Sequence, residues 1–399
     1  MPLLQFPLVA RVSAPSFKLL DMEFEDAKVK NAVIVGGGLG GLAAAIQLRK
    51  RGIDAQVYEK NPIISGGEGT LISLFPNGCR ALLEGSPELV TKMRREGITD
   101  SKSSIVPPDA SFQLGEWSLS SQMEQKYGHP MIAIMWKHAL RILSEELPDA
   151  CKHTGYQCVG VSQEEDGSVA HFTKGEEHYS VKAPLIIGAD GIRSTVRSSL
   201  FGPIAPRDNG RTMWRAVIDS SLCQNKVLNS TGATTSAANG RTVFIVNGVH
   251  GKLYWALSVT DEATNGDTAR RSTNALEMKE RLLEYYKGWS LATQIVEATE
   301  PGLILERRVV DLPVLEKWSK GSTVLLGDAV HAVTPALGQG ANMAFEDGLE
   351  LAMQVSSCSN LQSALEAYQA RRIPRAKEIS AASQRQLQSQ EFYDWLYSQ

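Results

Sequence analysis

The chain is poor in cysteine. Its five cysteines (Cys79, Cys151, Cys158, Cys223 and Cys358) are scattered, odd in number and never spaced C-x-x-C. That usage fits a reducing compartment and argues against a zinc site or a redox dithiol. Metal-ligand and Ser-His-Asp spacings do not stand out either, so no bound metal is expected. Long apolar runs are missing. Nothing approaches the roughly 18 consecutive apolar residues that a membrane helix needs, so no integral membrane segment is expected. Neither sign of charge is in excess: 41 Lys+Arg stand against 44 Asp+Glu, for a net charge of −3. That balance gives no sign of a nucleic-acid surface. Internal repeats and low-complexity segments are absent. Residues 1–20 lack acids and carry only Arg11 and Lys18 as charges. Their apolar part precedes the positive charge, the wrong order for a secretory signal. A tail over residues 1–29 and a cytoplasmic location are expected; the alternative is a remnant that targets a plastid or another organelle.

What is present is an ordinary globular composition, 43% hydrophobic and 21% charged over 399 residues. That length suits two or three domains with a core that needs no disulfides. In "NAVIVGGGLGGLAAAIQLRKRGIDAQVYEKN" a β-branched run, Val33-Ile34-Val35, leads into Gly36, Gly38 and Gly41 at G-x-G-x-x-G spacing. An Ala- and Leu-rich helix follows to about Arg51, Gly52 stops it, and a second strand from Ala55 to Tyr58 ends at Glu59. Each residue type has a physical task. Gly36 permits the tight turn, Gly38 lets backbone approach a pyrophosphate, and Gly41 lets helix and strand pack closely. The phosphates would sit at the helix N-terminus, where free N–H groups and the dipole favour anions. Glu59 would accept hydrogen bonds from the adenosine ribose and repel a 2′-phosphate, so the dinucleotide is FAD or NAD, not NADP.

Two later segments choose between them. "APLIIGADGIRSTVRSSLFG" (183–202) is an apolar strand ending in Asp190-Gly191, with Arg193, Ser194 and Arg197 leading into a helix. "GSTVLLGDAVHAVTPALGQGANMAFEDGLELA" (321–352) has Gly327-Asp328 after another apolar run, then Pro335, Gly338, Gly340 and Asn342 at P-x-x-G-x-G-x-N spacing. A simple NAD domain needs neither. In order, the three motifs resemble those of the para-hydroxybenzoate hydroxylase-type (class A) FAD-dependent monooxygenases, over about residues 30 to 385. Within that family, "GEGTLISLFPNGCRAL" (67–82) and "WSKGSTVLLGDAVH" are similar to the zeaxanthin epoxidase and salicylate hydroxylase-like branch.

The resemblance implies a fold and a chemistry. The fold is α/β: a discontinuous Rossmann-like FAD-binding domain with a parallel sheet, over residues 30–80, 105–204 and 305–360. A second, mainly antiparallel β substrate domain would span 206–303, where "RTMWRAVID", "RTVFIVNG" and "GKLYWALSV" read as strands and "VNGVHG" as a hairpin. A helical stretch at 275–287 follows, and C-terminal helices over 361–399, interrupted at Pro374, close the chain. Asp328 would hold ribitol hydroxyls. The glycines after Pro335 would let backbone pass along the isoalloxazine. The helix opening at Gly340, Ala341 and Asn342 would aim its N–H groups at the N1 edge, where reduced flavin carries negative charge. NAD(P)H would reduce the flavin, docking transiently because no second G-x-G-x-x-G exists. O2 would add at C4a, and one oxygen atom would pass to an electron-rich aromatic or olefinic small molecule, in a monomer or homodimer. The alternatives are a reductase or desaturase without oxygen transfer, and a non-enzymatic flavin-binding protein. A halogenase is set aside, since no two of the seven tryptophans are spaced W-x-W.

Arg215 and Pro335 are the candidate catalytic residues. Arg215 lies where relatives have W-R-G, with Ala216 replacing the glycine; it would bind a substrate carboxylate or enolate, or else form a structural ion pair. Lys137 stands where relatives carry a flavin-holding Arg, and lacks that residue's fork; a solvated helix lysine is the alternative. Trp214 and Trp255 read as core, and His331 as a hydrogen-bonded structural histidine. Arg193 and Arg197 would share a helix face and pair with Asp190 or attract a nicotinamide phosphate.

Overall fold

The computed structural model describes residues 18–21, 29–64, 70–99, 102–111, 115–223, 232–385 and 389–398. Most of the 1–29 segment and the start of the "GEGT" stretch lie outside the described residues. One sheet has six strands in the order Ser319–Lys320, Thr323–Leu325, Ile186–Gly188, Asn31–Val35, Asp54–Glu59 and Lys152–Thr154. All its pairings are parallel except that of the 319–320 edge. The central strands are continuous apolar runs, as burial on both faces requires. Helix Leu39–Lys50 packs on helix Gly340–Ser357. Small residues let them close up: a Cβ on Gly40 would lie 2.9 Å from Ala344 Cβ, and one on Gly348 would lie 3.0 Å from Ala44 Cα. The pairs 40/344 and 44/348 run in step, so the two helices are parallel and start at the same end of the sheet.

A second sheet has seven strands, ordered Leu305–Asp311, Arg207–Asp219, Lys252–Thr260, Arg241–Val249, Gly232–Ala238, Lys102–Ile105 and Gly115–Trp117. It is antiparallel apart from the pairing of 232–238 with 102–105. One face, with Trp214, Trp255 and Leu257, is sealed by Met278, Leu282, Leu291 and Ile295 of helices Ala275–Tyr285 and Ser290–Ala298. The other face, with Met213, Val217, Phe244, Val246, Tyr254 and Ala256, meets Leu71, Ala133 and Met135. Those three belong to the hairpin-like pair Leu71–Leu74 and Ile132–Met135, which carries on from the flavin-side core. The seven-stranded sheet is thus a lid whose inner face packs on the 71–74/132–135 pair. A four-stranded sheet of Lys18–Asp21, Glu177–Ala183, Gly167–Lys174 and Gln157–Glu164 completes the architecture.

The structure corrects the sequence reading at three places. Strands 115–117 and 305–311, which fall within the expected segments 105–204 and 305–360, pair in the seven-stranded sheet, because such short edge strands carry no motif and are placed only by their partners. Residues 18–21, inside the expected tail, form an edge strand parallel to 177–183. Helix Leu361–Arg385 runs through Pro374 without a break. The proline forfeits one backbone hydrogen bond, and flanking Arg372 and Arg375 offset the loss by binding Asp347 and Glu346. Among the described residues no helix is long and apolar enough to cross a membrane.

Candidate flavin and substrate site

Four neighbouring parallel strands end at one level. Val35 is in register with Tyr58 and Gly188, and Gly188 with Leu325. One or two residues on stand Gly36, Glu59, Asp190 and Gly327, with Asp328 next. All three motifs therefore open on the carboxyl edge of the parallel sheet, where open α/β sheets bind ligands. Strands lie about 4.8 Å apart, so the three gaps from Glu59 to Asp328 make a trench of about 14 Å, a span that matches an extended dinucleotide.

The glycine turn has the geometry its spacing predicts. Gly36 has φ +114°, and a Cβ there would lie 2.4 Å from Ala189 O. A Cβ on Gly41 would lie 2.0 Å from Gly36 O, whereas one on Gly38 would meet nothing within 4 Å. Gly38 thus faces open space at the start of helix 39–50, whose N-terminus has no side-chain cap. Glu59 is buried; its Oε2 accepts from Gly37 N at 2.7 Å and its Oε1 from Asn61 N at 2.9 Å. Each carboxylate oxygen keeps a second lone pair for a ribose hydroxyl.

Asp190 Oδ2 accepts from Thr195 N (2.7 Å) and Val196 N (3.1 Å), which caps helix Thr195–Phe201. Its Oδ1 is buried without a partner, and burial pushes its carboxyl above the ordinary value. Gly191 turns the chain away with φ +80°. Arg193 is exposed. Arg197 is buried and donates to Ala329 O and Ile192 O, each at 2.7 Å, so it ties the second motif to the third.

Asp328 has an exposed side chain with no hydrogen-bond partner among the described residues. Surrounding protein nonetheless pushes its carboxyl up, with His331 pulling the other way. Both facts hold for a group on the floor of a recess. Gly340 opens its helix 3.9 Å from Asp328 Oδ1, measured to the position of an added Cβ. That helix has no side-chain cap, which leaves the N–H groups of Gly340, Ala341 and Asn342 available. Gly338 has φ +62° and, with Pro335, lies exposed on the same turn. The Asn342 side chain is fully used: Oδ1 accepts from Phe75 N at 2.9 Å, and Nδ2 donates to Ser73 O and Gly338 O at 3.0 Å. Only its main chain is free for a ligand.

Sequence reasoning missed the polar layer behind this turn. Asp347 Oδ2 accepts from Gly327 N at 2.9 Å and pairs with His331 Nε2 at 2.5 Å, while its Oδ1 accepts from Arg372 Nε at 2.7 Å. Burial alone would raise this carboxyl, but His331, Arg372 and the Gly327 N–H bring it down to about 2. Glu346 is held by Arg372, Arg375 and Asn77. The signal was the acid pair "FED" followed, one helix later, by "RRIPR", but only the fold brings them together. His331 is structural, as its place in the motif suggests.

On the inner face of the lid, Arg215 alternates with Met213 and Val217, while Trp214 and Ala216 point into the opposite core. Ala256 and then Phe244 stand across the strands from it. Arg215 has no carboxylate partner among the described residues, and its Nε is buried unpaired. The structural ion pair is therefore not seen. Burial pushes the Tyr254 phenol up and Arg215 draws it down, which places the charge among the lid's inner side chains. Lys137 is exposed in the first turn of helix Trp136–Glu145 and has no ion pair among the described residues.

The chain matches the FAD-binding domain family over residues 114–383 and an NAD(P)-binding Rossmann-like domain over 34–79. It belongs to the FAD-binding domain family, as one of its class A flavoprotein monooxygenases. It is 30% identical over 355 residues to an aurachin C monooxygenase/isomerase of Stigmatella aurantiaca, covering 88% of each chain. It is 28% identical over 364 residues to a 6-hydroxynicotinate 3-monooxygenase of Pseudomonas fluorescens, covering 88% of this chain and 89% of the other. Against the chloroplastic zeaxanthin epoxidase of Solanum lycopersicum it is 29% identical over 360 residues, with 85% of this chain matched to 50% of that one. It thus spans about half the epoxidase's length. In fold it is similar to Klebsiella pneumoniae HpxO complexed with FAD and uric acid, with a TM-score of 0.78, 22% identity and 94% of each chain covered.

Proposed function

We propose that this protein uses NAD(P)H and O2 with bound FAD to insert one oxygen atom into an electron-rich aromatic or olefinic small molecule. The observation that carries the reading is the row of open polar groups along one edge of the parallel sheet: Gly38, Glu59, Asp190 Oδ1, Asp328 and the uncapped start at Gly340. Their chemistry fits FAD from end to end. An acid meets ribose hydroxyls, free N–H groups meet the pyrophosphate, a carboxylate meets the ribitol, and a second helix N-terminus meets the ring edge. Bound FAD would take electrons from the nicotinamide and pass them to O2.

The chain's own residues supply placement and electrostatics. Helix 340–357 offers its positive end to charge that develops at the flavin N1 edge, a stabilisation of up to ~2 kcal/mol when partly buried. The main chain from Pro335 to Gly340 would hold the ring, with Gly338 in a conformation that side chains resist. Met213, Val217, Phe244 and Tyr254, clustered on one face of the lid, would keep water from bound FAD. Arg215, unpaired on the inner face of the lid, would orient a substrate carboxylate or enolate. Lys137 would approach a phosphate or ribityl oxygen as a point charge.

The test follows NAD(P)H oxidation by the FAD-loaded protein across phenolic acids, heteroaromatics and isoprenoids, with product analysed under isotopically labelled O2. Labelled oxygen in a product supports the proposal. NAD(P)H consumption with no labelled product from any substrate points to the reductase reading. Protein that takes up no FAD defeats both.

A further inference from the structure

We propose that Glu96, His138 and His250 form a binding site for a divalent transition-metal ion of the zinc class, joining the flavin-side helices to the lid. The three come from separate elements. Glu96 ends helix Pro87–Glu96, His138 lies in the first turn of helix 136–145, and His250 sits at the hairpin between strands 241–249 and 252–260. One donor atom from each lies within 4.8 Å of the other two.

The distances favour a small tetrahedral ion. Zinc bonds of about 2.0–2.1 Å put neighbouring donors about 3.3 Å apart. Glu96 Oε2 is already 3.6 Å from His138 Nδ1 and 3.3 Å from His250 Nε2. The imidazoles stand edge to face, 5.1 Å between centroids, so modest ring rotation closes the set. His138 Nδ1 is buried with no hydrogen-bond partner. Arg141 holds the other Glu96 oxygen at 3.2 Å and turns Oε2 toward the histidines, the outer-sphere support that metal carboxylates use. Glu96 also stands at a helix C-terminus, where a carboxylate opposes the dipole and a cation relieves it. Two imidazoles and one carboxylate suit zinc, copper or nickel better than calcium or magnesium, and leave a fourth position for water. The expectation of no metal rested on the spacing of ligand residues along the chain, and these three lie far apart in sequence and meet only in the fold.

A bound ion would pin the hairpin at 249–252 to the flavin-side helices and fix one end of the lid. Chelator-stripped full-length protein is titrated with zinc by calorimetry, and with cobalt(II) followed by visible absorption. One equivalent of zinc is expected, with the intense bands of tetrahedral cobalt. Zinc should also slow hydrogen exchange at 249–252. His250→Asn, on an exposed hairpin, should weaken zinc binding at least 10-fold, with only a small fall in the melting temperature of the metal-free protein, since His250 Nε2 also bonds Glu96 O at 2.9 Å. If His138→Ala fails to fold, Glu96→Gln serves as the second variant. No zinc uptake by the wild type, or equal affinity in His250→Asn, overturns the proposal.

Discussion

The polar groups behind the trench and those along it are built on opposite plans. Behind it, Asp347, Glu346, His331, Arg372 and Arg375 are buried or nearly so, and each carboxylate is held by cations and N–H groups. Along it, Asp328 has no partner among the described residues and Asp190 leaves one buried oxygen bare. Folded proteins pair nearly all their buried polar atoms, and each exception needs a reason. Bare atoms occur elsewhere, Arg197 Nε and Trp214 Nε1 among them. Those belong to side chains anchored by other bonds or by packing. Carboxylates without a partner at adjacent strand ends fit the proposed function, in which their partner would be a ligand. The paired layer holds the fold, and on the proposed reading the open row would hold the cofactor.

The largest effect should come from breaking the paired layer. Asp347→Ala leaves Arg372, His331 and the Gly327 N–H facing an empty position, and unpairing a buried ion pair costs about 3–5 kcal/mol. The melting temperature of the flavin-free protein should fall by several degrees. A fall no greater than that caused by Asp328→Ala would erase the distinction between the two regions.

Asp328→Ala should show the reverse pattern. It removes charge-assisted hydrogen bonds to a ribitol, about 1.5–3 kcal/mol, so FAD binding by fluorescence titration should weaken roughly 10- to 100-fold. The flavin-free protein should melt no lower than wild type, because no protein partner is lost. If FAD binding survives unchanged, the third motif does not face the ribitol.

Acid separates the two carboxylates by sign. Asp347 titrates at about 2 in the folded chain, below its ordinary 3.8. Its contribution, about 2 kcal/mol, is therefore complete above pH ~4 and disappears as pH falls toward ~2. Asp328 is shifted the other way, chiefly by burial. Because that side chain is exposed, the shift contributes little to the flavin-free fold, and Asp328→Asn should leave its acid limb as in the wild type. Denaturant titrations from pH 2 to 7 read both. An acid limb identical in wild type and Asp347→Ala would refute the first assignment.

Most of the architecture was legible because repeating signals carried it. Val33-Ile34-Val35, the glycine spacing and Glu59 state a strand, a turn and a strand in thirty residues, and the alternation around Trp214 fixed which side of the lid is core. What stayed hidden depends on chain brought together from afar. Strand 305–311 reads as an edge strand that could pair with either sheet. Asn342 was read as a cofactor residue from its motif, yet its side chain braces Ser73, Phe75 and Gly338. Asp347 and Arg372 carry no local pattern that reveals their pairing.

The smallest effect tests whether the open row includes a cation. Lys137 occupies the second position of its helix, where a positive charge opposes the macrodipole by roughly 0.3–1 kcal/mol. It pairs with no acid among the described residues, so fold stability gives no reason for a lysine there. If it meets the cofactor, it does so as a point charge, and an Arg fork would add a second bond. Lys137→Arg should therefore tighten FAD binding a few-fold, and Lys137→Ala should loosen it by a similar factor while slightly raising the melting temperature of the flavin-free protein. Equal FAD affinity in all three proteins would make the lysine a solvated bystander and leave the trench to be defined by carboxylates and main-chain N–H groups alone.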